Sequence, residues 1–119
     1  MASPAPANDP KESPNYFERG LNLNDSLGKA ITLLEQQDDG SADIAETIGT
    51  LKREKFRVKT DLQLILEGKL KFNPPTPTQI ATIQKSSAHL DAMIKNSILA
   101  NDLSTLATAA ITAWRAPQI

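Results

Sequence analysis

The chain has 119 residues, no cysteine, 4% aromatic residues and a formal net charge of −1. That length suits one domain, and the missing thiols exclude a disulfide framework and any thiolate metal site. A pI near 5.8 gives none of the basic excess that nucleic-acid modules carry, and apolar runs of a few residues are too short to span a bilayer.

Residues 1–20 read as a disordered tail, ahead of one helical domain over 21–116. Four of the eight prolines (Pro4, Pro6, Pro10, Pro14) fall there among Ala, Ser, Asn and Asp. Such a segment cannot offset the entropy of being ordered. Tyr16 and Phe17 stand out within it, as an anchor that folds back onto the domain or as a short motif for a partner. The opening Met1-Ala2-Ser3-Pro4-Ala5-Pro6 lacks the basic start and apolar stretch of a signal peptide. The expectation is a cytoplasmic protein, or one exported without a cleaved leader.

A first helix is predicted over 24–37. Asn24 or Asp25 supplies the cap, and Leu27, Ala30, Ile31 and Leu34 recur at one-face spacing. Asp38-Asp39-Gly40 ends it, and so short a helix must dock on something. A second helix is predicted over 41–67, capped by Ser41, with Asp43 and Glu46 at the end the macrodipole favours for acids. Ile44, Ile48, Leu51, Lys55, Val58, Leu62 and Ile65 alternate in steps of four and three, a heptad seam. The rod would be roughly 40 Å long. Gly68 is placed to stop it.

Asn73-Pro74-Pro75-Thr76-Pro77 then breaks the chain. Thr76, Pro77 and Gln79 form a T-x-x-Q capping box with proline at the first helical position. A third helix is predicted over 77–114. Ile80, Ile83, Leu90, Ile94 and Ile98 line one face, with Ser87 in a small-residue slot. After that the stripe moves by roughly 160° to Leu99, Leu103, Leu106, Ala110 and Trp114, taking 100° per residue. No Gly or Pro interrupts residues 78–116, which favours a continuous or mildly kinked helix. The other solution is a break between Asn96 and Asp102, with Asn101 capping a fourth. The expected fold is all-α: an antiparallel helical hairpin extended to three helices, or four if the last divides, with coiled-coil-like packing.

Chemistry-bearing constellations are missing from the pattern. Lys52, Lys55 and Lys59 flank the seam while Arg53 and Arg57 point away from it, so no single basic face tracks phosphates. His89 is the only histidine, without further ligands at metal spacing. Ser86 lies one turn from it, but no acid orients such a dyad. Asp38, Asp39 and Asp43 do not follow the calcium-loop pattern, and no glycine-rich phosphate loop occurs. The expectation is therefore no enzyme, no cofactor, no metal and no nucleic acid.

Candidate function lies on surfaces. Phe56 falls off the seam, near Ala45 and Gly49 and with Leu64 beyond it. Either the first helix covers that face, or it binds a partner helix with Phe56 as anchor. Leu99, Leu103, Leu106 and Trp114 form the second candidate, because the rotated stripe needs a cover of its own; Trp114 reads either as a cap on the end of the bundle or as the centre of an oligomer contact. Phe56, Gly49, Leu64, Leu99, Leu103, Leu106 and Trp114 are thus the expected partner-binding residues, for another polypeptide or for self-association. The expected function is a non-enzymatic interaction or assembly module, such as a small bacterial helical chaperone or adaptor. The layout of unstructured head and helical hairpin also resembles leaderless subunits or effectors of bacterial secretion systems, which is the alternative expectation.

Overall fold

A computed structural model describes residues 12–37, 40–96 and 100–118, and these residues form four α-helices. In chain order they are α1 (Glu12–Gln36), α2 (Ala42–Leu66), α3 (Pro77–Lys95) and α4 (Ala100–Arg115). Among the described residues no strand forms, and the extended pairing is an isolated antiparallel bridge between Phe72 and Gln118. The regular elements of the described residues are all helical, as the apolar spacing predicts, with helix packed on helix.

α1 is longer than the helix read from the sequence. Residues 12–20, expected within the tail, are helical, while residues 1–11 lie outside the described residues. The cause is a seam that begins at Tyr16. Tyr16, Gly20, Leu23, Leu27, Ala30 and Leu34 follow steps of four and three, and all are buried. Gly20 hides this seam from a pattern search, because a glycine reads as a gap. Asn24 and Asp25, expected as caps, lie within the helix.

The ends of α2 and α3 follow their sequence signals closely. Ser41 Oγ accepts from Ile44 N at 3.4 Å, and Leu51, Val58 and Leu62 are buried along the seam. At the far end Gly68 adopts φ +70°, a left-handed conformation that glycine takes without penalty. Lys69 N donates to Leu64 O at 2.8 Å and Gly68 N to Ile65 O at 3.1 Å, the two bonds of a Schellman stop. The α3 capping box is complete: Gln79 N donates to Thr76 Oγ1 at 3.1 Å, and Thr76 N to Gln79 Oε1 at 3.0 Å.

The continuous helix favoured over 77–114 is not formed. α3 ends at Lys95, where the cap Asn96 donates from its N–H to Ala92 O at 3.0 Å, and α4 begins at Ala100. Ile98 and Leu99 lie outside the described residues. The rotated stripe explains the division. Ile83 and Leu90 on α3, and Leu103, Ala107, Ala110, Ile111 and Trp114 on α4, are all buried in one core. A straight rod would send the second set to the opposite side. Each large apolar side chain left in water forfeits about 1.5–3 kcal/mol, which outweighs the few backbone bonds lost at a break.

α1 packs on α2, α3 and α4, and α4 also packs on α2 and α3. α2 and α3 share no close pair among the described residues. The inner pair is therefore α1 and α4, with α2 and α3 as flanks. The helices that pack across a connection of a few residues are α1–α2 and α3–α4; the proline-rich segment joins two helices with no close backbone pair among the described residues.

Candidate functional site

The aromatic residues sort into two environments. Tyr16 stacks on Phe72 at a centroid distance of 4.4 Å and on Trp114 at 5.0 Å. Trp114 Nε1 donates to Tyr16 O at 3.0 Å, and Tyr16 Oη donates to the Trp114 carbonyl. This stack closes one end of the bundle. Asn73 N donates to Pro117 O at 2.7 Å, tying the α2–α3 connection to the segment after α4.

A polar clasp lies beside the stack. Gln118 Nε2 donates to Tyr16 Oη at 3.3 Å and to Asp61 Oδ2 at 3.2 Å. Arg115 Nε sits 3.2 Å from the same carboxylate oxygen, yet makes no directed hydrogen bond to it; the contact is an ion pair. Sequence reasoning missed Asp61, Arg115 and Gln118, since nothing in their spacing announces that a helix and a chain end converge. At 1% exposure the phenol has no open approach, and the clasp closes over it.

Burial pushes the Tyr16 phenol well above its ordinary pKa of 10.0, outweighing the opposing hydrogen bond from Gln118; Asp61 adds to the rise and Arg115 opposes it. The folded chain thus keeps a proton that the unfolded chain gives up. That contribution is fully present below about pH 10 and is lost as pH rises beyond it, at up to about 1.4 kcal/mol per pH unit. Urea midpoints measured from about pH 8 to about pH 11 should fall more steeply for the wild type than for Tyr16→Phe. Parallel slopes would contradict this account.

The expected α4 partner face is corrected by the fold. Leu103 and Trp114 are 0% exposed, and Leu106 is partly buried against the same core. These side chains are covered by the chain's own helices, because the division before α4 turns their stripe inward. Leu99 lies outside the described residues.

The α2 candidates stand differently. Phe56 is 69% exposed and Leu66 67%, while Leu64 is half-buried. α1 does not cover this face. A shallow apolar depression there is lined by Phe56, Lys59, Thr60, Gln63 and Leu64. Along the same stripe, Ala42, Ala45, Thr60 and Gln63 are exposed and Gly49 is half-buried. These positions fall within roughly 60° of arc with Phe56 at 100° per residue. Glu46 and Arg53 border the stripe on one side, Lys52 and Lys59 on the other.

Gly49 has no packing reason within the chain. A Cβ built there meets only the flexible end of its own neighbour, Arg53 Nη1, at 3.7 Å. Glycine inside a helix costs about 0.5–1 kcal/mol against alanine. Gly49→Ala is expected to stabilise the fold by that amount in urea unfolding. A loss of stability would show that the helix backbone there is constrained in some other way.

The charged stretch of α2 contributes to two ion pairs. Lys52 Nζ reaches Glu35 Oε2 of α1 at 3.5 Å, and Arg57 pairs with Glu54 at 3.5 Å. Both are exposed pairs of small net worth. His89 is exposed on α3. Among the described residues no three His, Asp or Glu side chains converge on a metal-sized site, and no helix is long and apolar enough to cross a membrane. Asp38 and Asp39 lie outside the described residues. Comparison with family models, with curated proteins and with solved structures finds no match to this chain.

Proposed function

We propose that this protein is a non-enzymatic interaction or assembly module whose working surface is the outer face of α2. Its four helices act as one coiled-coil-like bundle, and the α2 face receives a helix. The observation that carries the reading is Phe56. A large aromatic side chain 69% exposed, on a stripe of small residues and clear of every other helix, stabilises nothing in the isolated chain. Aromatic anchors beside close-approach positions are what helix-docking surfaces use. The α2 seam that faces inward accounts for the fold; this second stripe is left for association.

The test separates folding from docking. Phe56→Ala is expected to change unfolding free energy by no more than about 0.5 kcal/mol, as exposed positions do. Ile48→Ala, which empties a half-buried seam position, should cost about 2 kcal/mol. Proteins retained from lysate on the immobilised wild-type chain should be lost from the Phe56→Ala chain and kept by the Ile48→Ala chain. If Phe56→Ala proves more destabilising than Ile48→Ala, or retention is unchanged by it, the α2 face is not the working surface.

A further inference from the structure

We propose that the occupant of the α2 outer face is a second copy of this chain, docked antiparallel about a two-fold axis at Gly49 and Thr50. This rests on the docking reading above and names the partner. The face is complementary to itself in shape. It carries one bulky knob, Phe56, and a run of small positions, Ala42, Ala45 and Gly49, all exposed or half-buried. With the axis between residues 49 and 50, Phe56 of each copy comes level with residue 43 of the other. There it drops between Ala42 and Ala45 as a knob into a hole. Gly49 at the axis allows the two backbones to approach, which supplies the reason for a glycine that nothing inside the chain requires.

The charges choose the same arrangement. Glu46 and Arg53 lie on one border of the stripe, and antiparallel helices set like borders against each other. In this register Glu46 comes level with Arg53 of the copy, and symmetry makes the pair twice. Among the described residues Glu46 has no ion pair, and Arg53 donates only to the Thr50 hydroxyl, at 3.2 Å. On the other border Lys52 comes level with Thr47 and Lys59 with the region before the α2 N-cap, so no lysine meets a lysine. A parallel pair would set Phe56 on Phe56 and leave the alanines facing a gap. The contact spans about four helical turns per copy, near the lower end of stable interfaces at about 1,200 Å². The dimer should therefore be weak and depend on concentration.

Sedimentation equilibrium of the full chain up to about 1 mM tests this. The wild type is expected to dimerise, and Phe56→Ala to remain monomeric while its unfolding midpoint holds. Glu46→Lys and Arg53→Glu should each weaken self-association by about tenfold or more, since each sets like charges level twice. Mixed together, these two variants should form a heterodimer, because every level pair is then opposite in sign. Unimpaired dimerisation of Phe56→Ala, or failure of the mixture to associate, overturns the arrangement. A wild type that stays monomeric overturns the second copy as occupant. In that case Phe56-dependent retention of another protein leaves the docking surface standing, and its absence removes both.

Discussion

Trp114→Ala is expected to cost about 3–5 kcal/mol in urea unfolding, the largest single loss in the chain. The indole is 0% exposed and is held on two sides. It stacks on Tyr16 at 5.0 Å with an interplanar angle of 10°, and its Nε1 donates to Tyr16 O at 3.0 Å. Truncation leaves a ring-sized void, removes an aromatic pair and deletes the buried hydrogen bond between the indole and the α1 backbone. Domains of this size rarely hold more than about 5–15 kcal/mol in total, so the variant should melt far below the wild type. A cost under about 1 kcal/mol would mean that the end of the bundle is not closed by this stack.

Gly20→Ala should destabilise by about 1–3 kcal/mol, although alanine is the better helix former. A Cβ at residue 20 would lie 2.7 Å from Leu62 Cδ2 and 2.8 Å from Trp114 Cε2, and nearer still to Cζ2 of the same ring. Real Cβ atoms do not approach so closely, and the indole cannot swing aside while stacked and hydrogen-bonded. The same substitution at Gly49 carries the opposite sign, because open space replaces the ring. Combining Gly20→Ala with Trp114→Leu should remove most of the Gly20 penalty, a coupling expected of residues in direct contact. If Gly20→Ala raises the urea midpoint, the close approach of α1 and α4 at this level is wrong.

The parts of the fold that sequence pattern reached are those written in local chemistry. Ser41, Thr76, Gln79 and Gly68 set helix ends through bonds that span a few residues, and spacing alone exposes them. The α2 seam was equally plain, with one lysine in an otherwise apolar series. What escaped was non-local. Gly20 is silent in any periodicity because its meaning is the indole that fills its place. The division between α3 and α4 has no proline or glycine to mark it. It follows from where two stripes must both find cover. The candidate site divides along the same line. Phe56 and Gly49 were identifiable as out of place on their own helix. Leu103 resembled a surface only while the helix carrying it was imagined as straight, and Trp114 sits where its reading as a cap on the bundle end puts it.

The inner pair joins the first and the last of the four helices, with Tyr16 and Trp114 98 positions apart. Helical proteins usually fold through neighbours in sequence and do so quickly. Here a nascent chain leaving the ribosome can form the α1–α2 hairpin early, but that hairpin waits with one flank of α1 wet until α4 emerges. Closure of that end thus waits for residue 114, and a translation product shortened before it would present uncovered apolar surface to whatever chaperones attend synthesis.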